Sequence, residues 1–155
     1  MHAVSVNNIC KTYRLDDVDV PALRDITIDI RPNTFTVISG PSGSGKTTLL
    51  NMIGCIDRPE MGEIVIGGQS VRSLSDDDLS DLRSRHFGFI FQNFNLLPVL
   101  TAYENIEYSL LILKVPERKR RERVGELLEA VGLSDKKRHY PGQLSGGQRQ
   151  RVAIA

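Results

Sequence analysis

Gly40-Pro41-Ser42-Gly43-Ser44-Gly45-Lys46-Thr47 decides how the rest of the chain is read. It fits G-x-x-x-x-G-K-[S/T] at every position. Before it, Thr34-Phe35-Thr36-Val37-Ile38-Ser39 is rich in β-branched residues and predicts a short strand buried on both faces. After it, Lys46-Thr47-Thr48-Leu49-Leu50-Asn51-Met52-Ile53 predicts a helix that Gly54 ends. Strand, glycine-rich turn and helix together make a phosphate cradle. Gly43 and Gly45 let the backbone approach phosphate oxygens with its N–H groups turned inward. The helix start adds its positive end. Lys46 suits the β- and γ-phosphates, and the Thr47 hydroxyl suits Mg²⁺. Gly40, Pro41, Ser42, Ser44 and Thr48 complete the candidate contacts. A chance Gly/Ser loop with a solvated lysine is the competing reading, and the strand–loop–helix context disfavours it.

Working outward, the chain before the motif reads as β. Val4 and Val6 alternate with polar residues, and Ile26-Thr27-Ile28-Asp29-Ile30 repeats an apolar residue at period two. Asn33 suits a left-handed turn position before 34–39. Beyond the first helix, Glu63-Ile64-Val65-Ile66-Gly67-Gly68 predicts a strand running into a turn. Ser75 with Asp78 fits a helix cap, so Asp76-Asp77-Asp78 reads as a first turn facing the helix dipole rather than a metal site. Phe87-Gly88-Phe89-Ile90-Phe91 predicts another strand, with Phe87, Phe89 and Phe91 on one core face and Phe94 beyond it as a contact residue. From Thr101 onward the pattern is helical: a Thr101–Glu104 cap leads into Ile106, Leu110, Leu111 and Leu113. A second helix runs from Glu117 past Val124, Leu127, Leu128 and Val131 to Gly132.

Composition narrows the class. The 155 residues are 40% hydrophobic and 25% charged, which argues against a disordered chain. A net charge of +1 provides no global field for nucleic acid or anionic lipid. No apolar run approaches a membrane span, and the N-terminus lacks the pattern of a signal peptide. Cys10 and Cys55 match no metal spacing and read as reduced thiols, while His2, His86 and His139 read as ordinary surface or core residues. The one basic cluster, Lys114 with Arg118, Lys119, Arg120, Arg121 and Arg123, interleaves with Glu117, Glu122 and Glu126 and reads as a solvated helix face.

A second motif separates the triphosphate-binding classes. Leu144-Ser145-Gly146-Gly147-Gln148 precedes Arg149-Gln150-Arg151-Val152-Ala153-Ile154-Ala155, a helix with no stop signal. With the upstream loop, in this order and at this separation, the chain resembles the ATP-binding cassette ATPases, whose signature is Leu-Ser-Gly-Gly-Gln. The resemblance implies an α/β fold: a P-loop nucleotide-binding domain with a parallel-sheet core, an antiparallel β portion and a helical portion. It implies ATP and Mg²⁺ as ligands. In the family, Ser145, Gly146, Gly147 and Gln148 would cap the γ-phosphate held by the loop of a second copy, in a head-to-tail dimer. Tyr13 matches the aromatic that stacks on adenine. Gln92 matches the glutamine linking Mg²⁺ and attacking water to the transport partner, so Lys46 and Gln92 are the candidate catalytic residues, and Thr47 and Gln92 the candidate metal ligands. The stretch 92–98 would lie at the groove receiving a membrane permease. The resemblance implies a cytoplasmic protein, peripheral on the inner face of the membrane through that permease, and no nucleic-acid partner.

Val20-Pro21-Ala22-Leu23-Arg24-Asp25, Cys55-Ile56-Asp57-Arg58-Pro59 and Phe89-Ile90-Phe91-Gln92 look most like the lipoprotein-release and macrolide-export branch. The expected organisation is a β-rich portion with loop and glutamine over 1–100, a helical portion over 101–142, and the signature with the start of its helix over 143–155. Two departures stand out. Asn33-Thr34 replaces the usual Gly-Glu, and Asn tolerates the same turn. The family's apolar strand ending in Asp and Glu, and its later histidine, have no counterpart here. The expectation is therefore a partial domain, inactive by itself and prone to association. Two other readings stay open: a short protein that binds nucleotide or regulates complete cassettes, and an ATPase acting on DNA, which the two short helices between Gln92 and Ser145 disfavour.

Overall fold

The computed structural model describes residues 2–155. The chain divides into two compact units, 1–87 and 88–155. In the first, β1 (Val4–Leu15) and β2 (Val18–Ile30) form a long antiparallel hairpin, β3 (Met61–Ile66) pairs with the other edge of β1, and the short β4 (Gln69–Ser70) closes the order β2-β1-β3-β4. Val4 faces both Ile30 and Ile66 across its neighbours, and Val6 faces Ile28 and Ile64. One face is thus a continuous aliphatic layer. The register shifts between Val6 and Ile9, with Asn8 at φ +49°. That extra residue keeps Ile9 fully buried although it lies an odd number of positions after Val6.

Helix α1 (Lys46–Ile53) packs Leu49, Met52 and Ile53 on this layer, at the i, i+3, i+4 spacing of one helix face. Full burial of such a side chain contributes about 1.5–3 kcal/mol. Helix α2 (Asp76–His86) adds Leu79 and Leu82 to the same core. Ser75 caps it: its Oγ accepts from the Asp78 N–H at 3.2 Å, and Asp78 Oδ2 accepts from the Ser75 N–H at 3.2 Å.

The second unit contains α3 (Ala102–Ile112), α4 (Glu117–Ala130) and α5 (Gly146–Ile154), with 3-10 turns at Ser134–Lys136 and Pro141–Gln143. Ala102, Ile106, Val124, Leu128, Leu133, Leu144 and Val152 form its core. Arg120 on α4 meets Glu107 on α3 at 3.0 Å, each with 17% of its side chain exposed. The other arginines of the basic cluster are answered on their own helix: Arg121 by Glu117 at 2.7 Å and Arg123 by Glu126 at 3.0 Å. That is the solvated face the charge interleaving predicts.

Two expected strands are corrected. Residues 34–39 and 87–91 belong to no sheet, and every strand pair among the described residues is antiparallel. Phe35 is 95% and Val37 69% exposed. Phe89 and Phe91 are also exposed, their rings stacked at 5.8 Å, while Phe87 packs against the core of the first unit. The physical reason is the same in both places. A strand with apolar residues on both faces needs neighbouring strands at its sides, and among the described residues neither segment joins a strand ladder. Asn33, by contrast, takes the left-handed turn its residue type favours, at φ +57°.

Candidate functional site

The glycine-rich loop leads directly into α1. Gly43 and Gly45 have φ of +80° and +83°, and Gly45 is the N-cap of the helix. A side chain at Gly45 would collide with the Ala22 carbonyl oxygen on β2, so this glycine also sets how closely the helix seats on the hairpin. Lys46 folds back across the loop. Its Nζ donates to the carbonyls of Gly40 at 3.0 Å and Pro41 at 2.7 Å, with Ser44 Oγ at 3.4 Å. Gly43, Ser44, Gly45, Lys46, Thr47 and Thr48 line one side of an open groove of about 220 Å³, and Val20, Pro21 and Ala22 line the other. A cation, a left-handed glycine turn and a helix N-terminus converge there, a donor set that fits a phosphate chain. Ser42 and Thr47 are exposed at the same loop.

Tyr13 and the loop lie in the same unit. The Tyr13 hydroxyl donates to Asp57 Oδ2 at 2.9 Å. Burial and this carboxylate push the hydroxyl above its ordinary range, against a smaller opposite effect of the Thr48 hydroxyl on α1. Lys11 Nζ donates to Asp57 Oδ1 at 2.9 Å and lies 5.2 Å from the centre of the Tyr13 ring. Burial by itself would raise the Asp57 carboxyl. The bonds from Lys11, Tyr13 and the Arg58 N–H outweigh it and hold the group below the usual carboxylate range. Asp57 was not legible as a site residue, because 44 positions separate it from Tyr13.

In the second unit, Ser145 is the N-cap of α5. Its Oγ accepts from the Gln148 N–H at 3.3 Å, and Gln148 Oε1 accepts from the Ser145 N–H at 2.8 Å. The cap uses Ser145 as an acceptor, so its O–H remains a donor. Gly146 and Gly147 are exposed in the first turn, where N–H groups have no intrahelical carbonyl. Gln92 is exposed on a turn over 91–95, with Phe94 and Asn95 at φ of +62° and +50°. The Arg149 guanidinium of α5 lies 5.5 Å from the centre of the Phe94 ring, which brings this turn and the signature helix together. The loop with Tyr13 belongs to one compact unit, and Gln92 with 145–148 to the other.

A hairpin-backed phosphate loop, together with a serine-capped, glycine-opened helix, defines a nucleotide-binding cassette. The model of the ABC transporter family matches residues 23–155, and the chain belongs to that family. An uncharacterized ABC transporter ATP-binding protein of Thermotoga maritima is 49% identical over 148 residues, covering 96% of this chain and 63% of that protein. The macrolide export ATP-binding/permease protein MacB of Brucella melitensis is 47% identical over 98% of this chain and 24% of its own length. The chain thus spans less than two thirds of either relative. Among solved structures, the ATP-binding cassette MJ0796, a dimer in a post-hydrolysis state bound to ADP and Pi, superposes with a TM-score of 0.89 at 44% identity, covering 97% of this chain and 67% of that one.

Proposed function

We propose that this chain is the nucleotide-binding part of an ABC transporter, taking ATP with Mg²⁺ at the Lys46 loop. The observation that carries this reading is Lys46 itself, an ammonium held over its own loop at the N-terminus of α1. Lys46 would trade the Gly40 and Pro41 carbonyls for phosphate oxygens, and the first-turn N–H groups of α1 would take the remaining ones. The Thr47 hydroxyl would help to hold Mg²⁺, whose charge would offset that of the β- and γ-phosphates. Tyr13 would receive the adenine. Ser145, Gly146, Gly147 and Gln148 would close over the γ-phosphate of a second cassette in a head-to-tail pair, and 92–98 would meet a membrane permease. That arrangement would hold the protein at the cytoplasmic face of the membrane. Among the described residues no helix is long and apolar enough to cross a membrane by itself.

No carboxylate lines the Lys46 groove. That supports the reading that this chain by itself binds ATP without appreciable turnover. The MacB relative, a macrolide export ATP-binding/permease protein, supports an export role driven through a permease. Calorimetric titration with ATP and Mg²⁺, run beside phosphate-release assays, tests both parts. Saturable binding abolished in Lys46→Ala, with negligible phosphate release, is the expected outcome. Lysine-dependent turnover comparable to a complete cassette would overturn the second part, and absent binding the first.

A further inference from the structure

Asp57 gathers donors from three directions. Tyr13 reaches Oδ2, Lys11 and the Arg58 N–H share Oδ1, and Lys11 Nζ also donates to the Arg58 carbonyl at 3.0 Å. The Lys11 side chain is 14% exposed and that of Asp57 31%, so these contacts are largely withdrawn from water. Asp57 in turn is fastened to the end of α1: the N–H groups of Ile56 and Asp57 both donate to the Asn51 carbonyl, at 2.9 and 3.3 Å. The Tyr13 ring is thereby fixed at its hydroxyl end and occupied on one face by the Lys11 ammonium.

We propose that Asp57 is a positioning residue for the nucleotide base: it anchors the Tyr13 hydroxyl and the Lys11 ammonium to the end of α1, so that the ring face opposite Lys11 is held at a fixed distance from Lys46. This rests on the ATP reading above. Stacking on an aromatic ring stabilises a bound base only when the two planes meet. A tyrosine free about χ1 and χ2 must be ordered on binding, and that cost is subtracted from the stacking. Here it is met in advance by a bond to a shielded carboxylate. Lys46 and Asp57 stand at opposite ends of one two-turn helix and the bend that follows it. The base end and the phosphate end of the ligand are thus referred to the same rigid element.

The test compares ATP with inorganic tripolyphosphate, both with Mg²⁺, on the chain as it stands. Asp57→Ala and Tyr13→Phe should each weaken ATP by about tenfold, and the double variant by no more than the worse single one, since coupled residues are non-additive. Tripolyphosphate affinity should stay unchanged in all three. Asp57→Asn, which keeps an acceptor for the Tyr13 hydroxyl, should recover most of the ATP affinity lost in Asp57→Ala. Unchanged ATP affinity in Asp57→Ala, additive losses in the double variant, or equal losses for ATP and tripolyphosphate would overturn the proposal. A wild-type chain that binds neither ligand would instead overturn the ATP reading itself.

Discussion

Asn105 presents both ends of its amide to Leu97: Oδ1 accepts from the Leu97 N–H at 2.8 Å, and Nδ2 donates to the Leu97 carbonyl at 3.2 Å. The same Nδ2 also reaches the carbonyls of Leu100 and Thr101, each at 2.9 Å. One side chain on the first turns of α3 therefore ties down 97–101, the link between the Gln92 turn and the helix. Asn105→Ala should cost about 2 kcal/mol, since each bond contributes about 0.5–1.5 kcal/mol net and water replaces part of the loss. Urea denaturation measures that cost. Hydrogen exchange should show the Leu97 amide losing its protection while the amides of β1 keep theirs.

Two glycines of the phosphate loop should respond unequally to alanine. Gly43 faces open space, so Gly43→Ala meets only the left-handed backbone penalty of about 1–2 kcal/mol. Gly45→Ala carries the same penalty and adds a collision with the Ala22 carbonyl. Its thermal midpoint should fall clearly further than that of Gly43→Ala. Equal midpoints for the two variants would contradict the close approach of α1 to β2.

Acid should destabilise both units through identified carboxyls. Asp57 is held low despite its partial burial, Asp78 is held low by the Ser75 hydroxyl and N–H, and Glu104 by the Thr101 N–H and hydroxyl. A folded-state value below the unfolded one contributes stability that is present above the unfolded value and is lost as pH falls through the folded one. Urea midpoints should thus be level near neutrality as far as these groups are concerned, and drop below the ordinary carboxylate range of about pH 4. Asp57→Asn and Glu104→Gln should each flatten that drop.

Phe35 and Val37 expose large apolar side chains on a segment that has no ladder partner among the described residues. Such a segment is a template for pairing with another chain. Sedimentation should detect concentration-dependent association of the chain, and the double variant Phe35→Ser, Val37→Thr should reduce it. A monomer at all concentrations would contradict this.

Local chemistry was legible in the sequence, and distant pairing was not. The bounds of α1, the caps at Ser75 and Thr101, the start of α4 at Glu117 and the left-handed Asn33 all depend on a few neighbouring residues, and the structure has each of them. The pattern over 34–39 states what a strand there would bury, but not whether another strand lies beside it. The bulge at Asn8 and the grip of Asp57 on Tyr13 depend on β2, β3 and the end of α1 meeting in space. Within the candidate site, the glycine loop leading into α1 follows from residue type and spacing. The partners of Lys46 and the fixed pose of Tyr13 do not.

The contacts of Lys46 also set a threshold for what can enter the loop. Its ammonium is already satisfied by the Gly40 and Pro41 carbonyls, so an incoming group must outbid two neutral oxygens. A phosphate oxygen would do so, because its negative charge adds a direct attraction to the ammonium that a neutral carbonyl lacks. A sugar hydroxyl, an amide or a lone water offers no such gain and leaves the lysine where it is. On the proposed function, the resting loop would thus discriminate for high negative charge density before any nucleotide is recognised by its base.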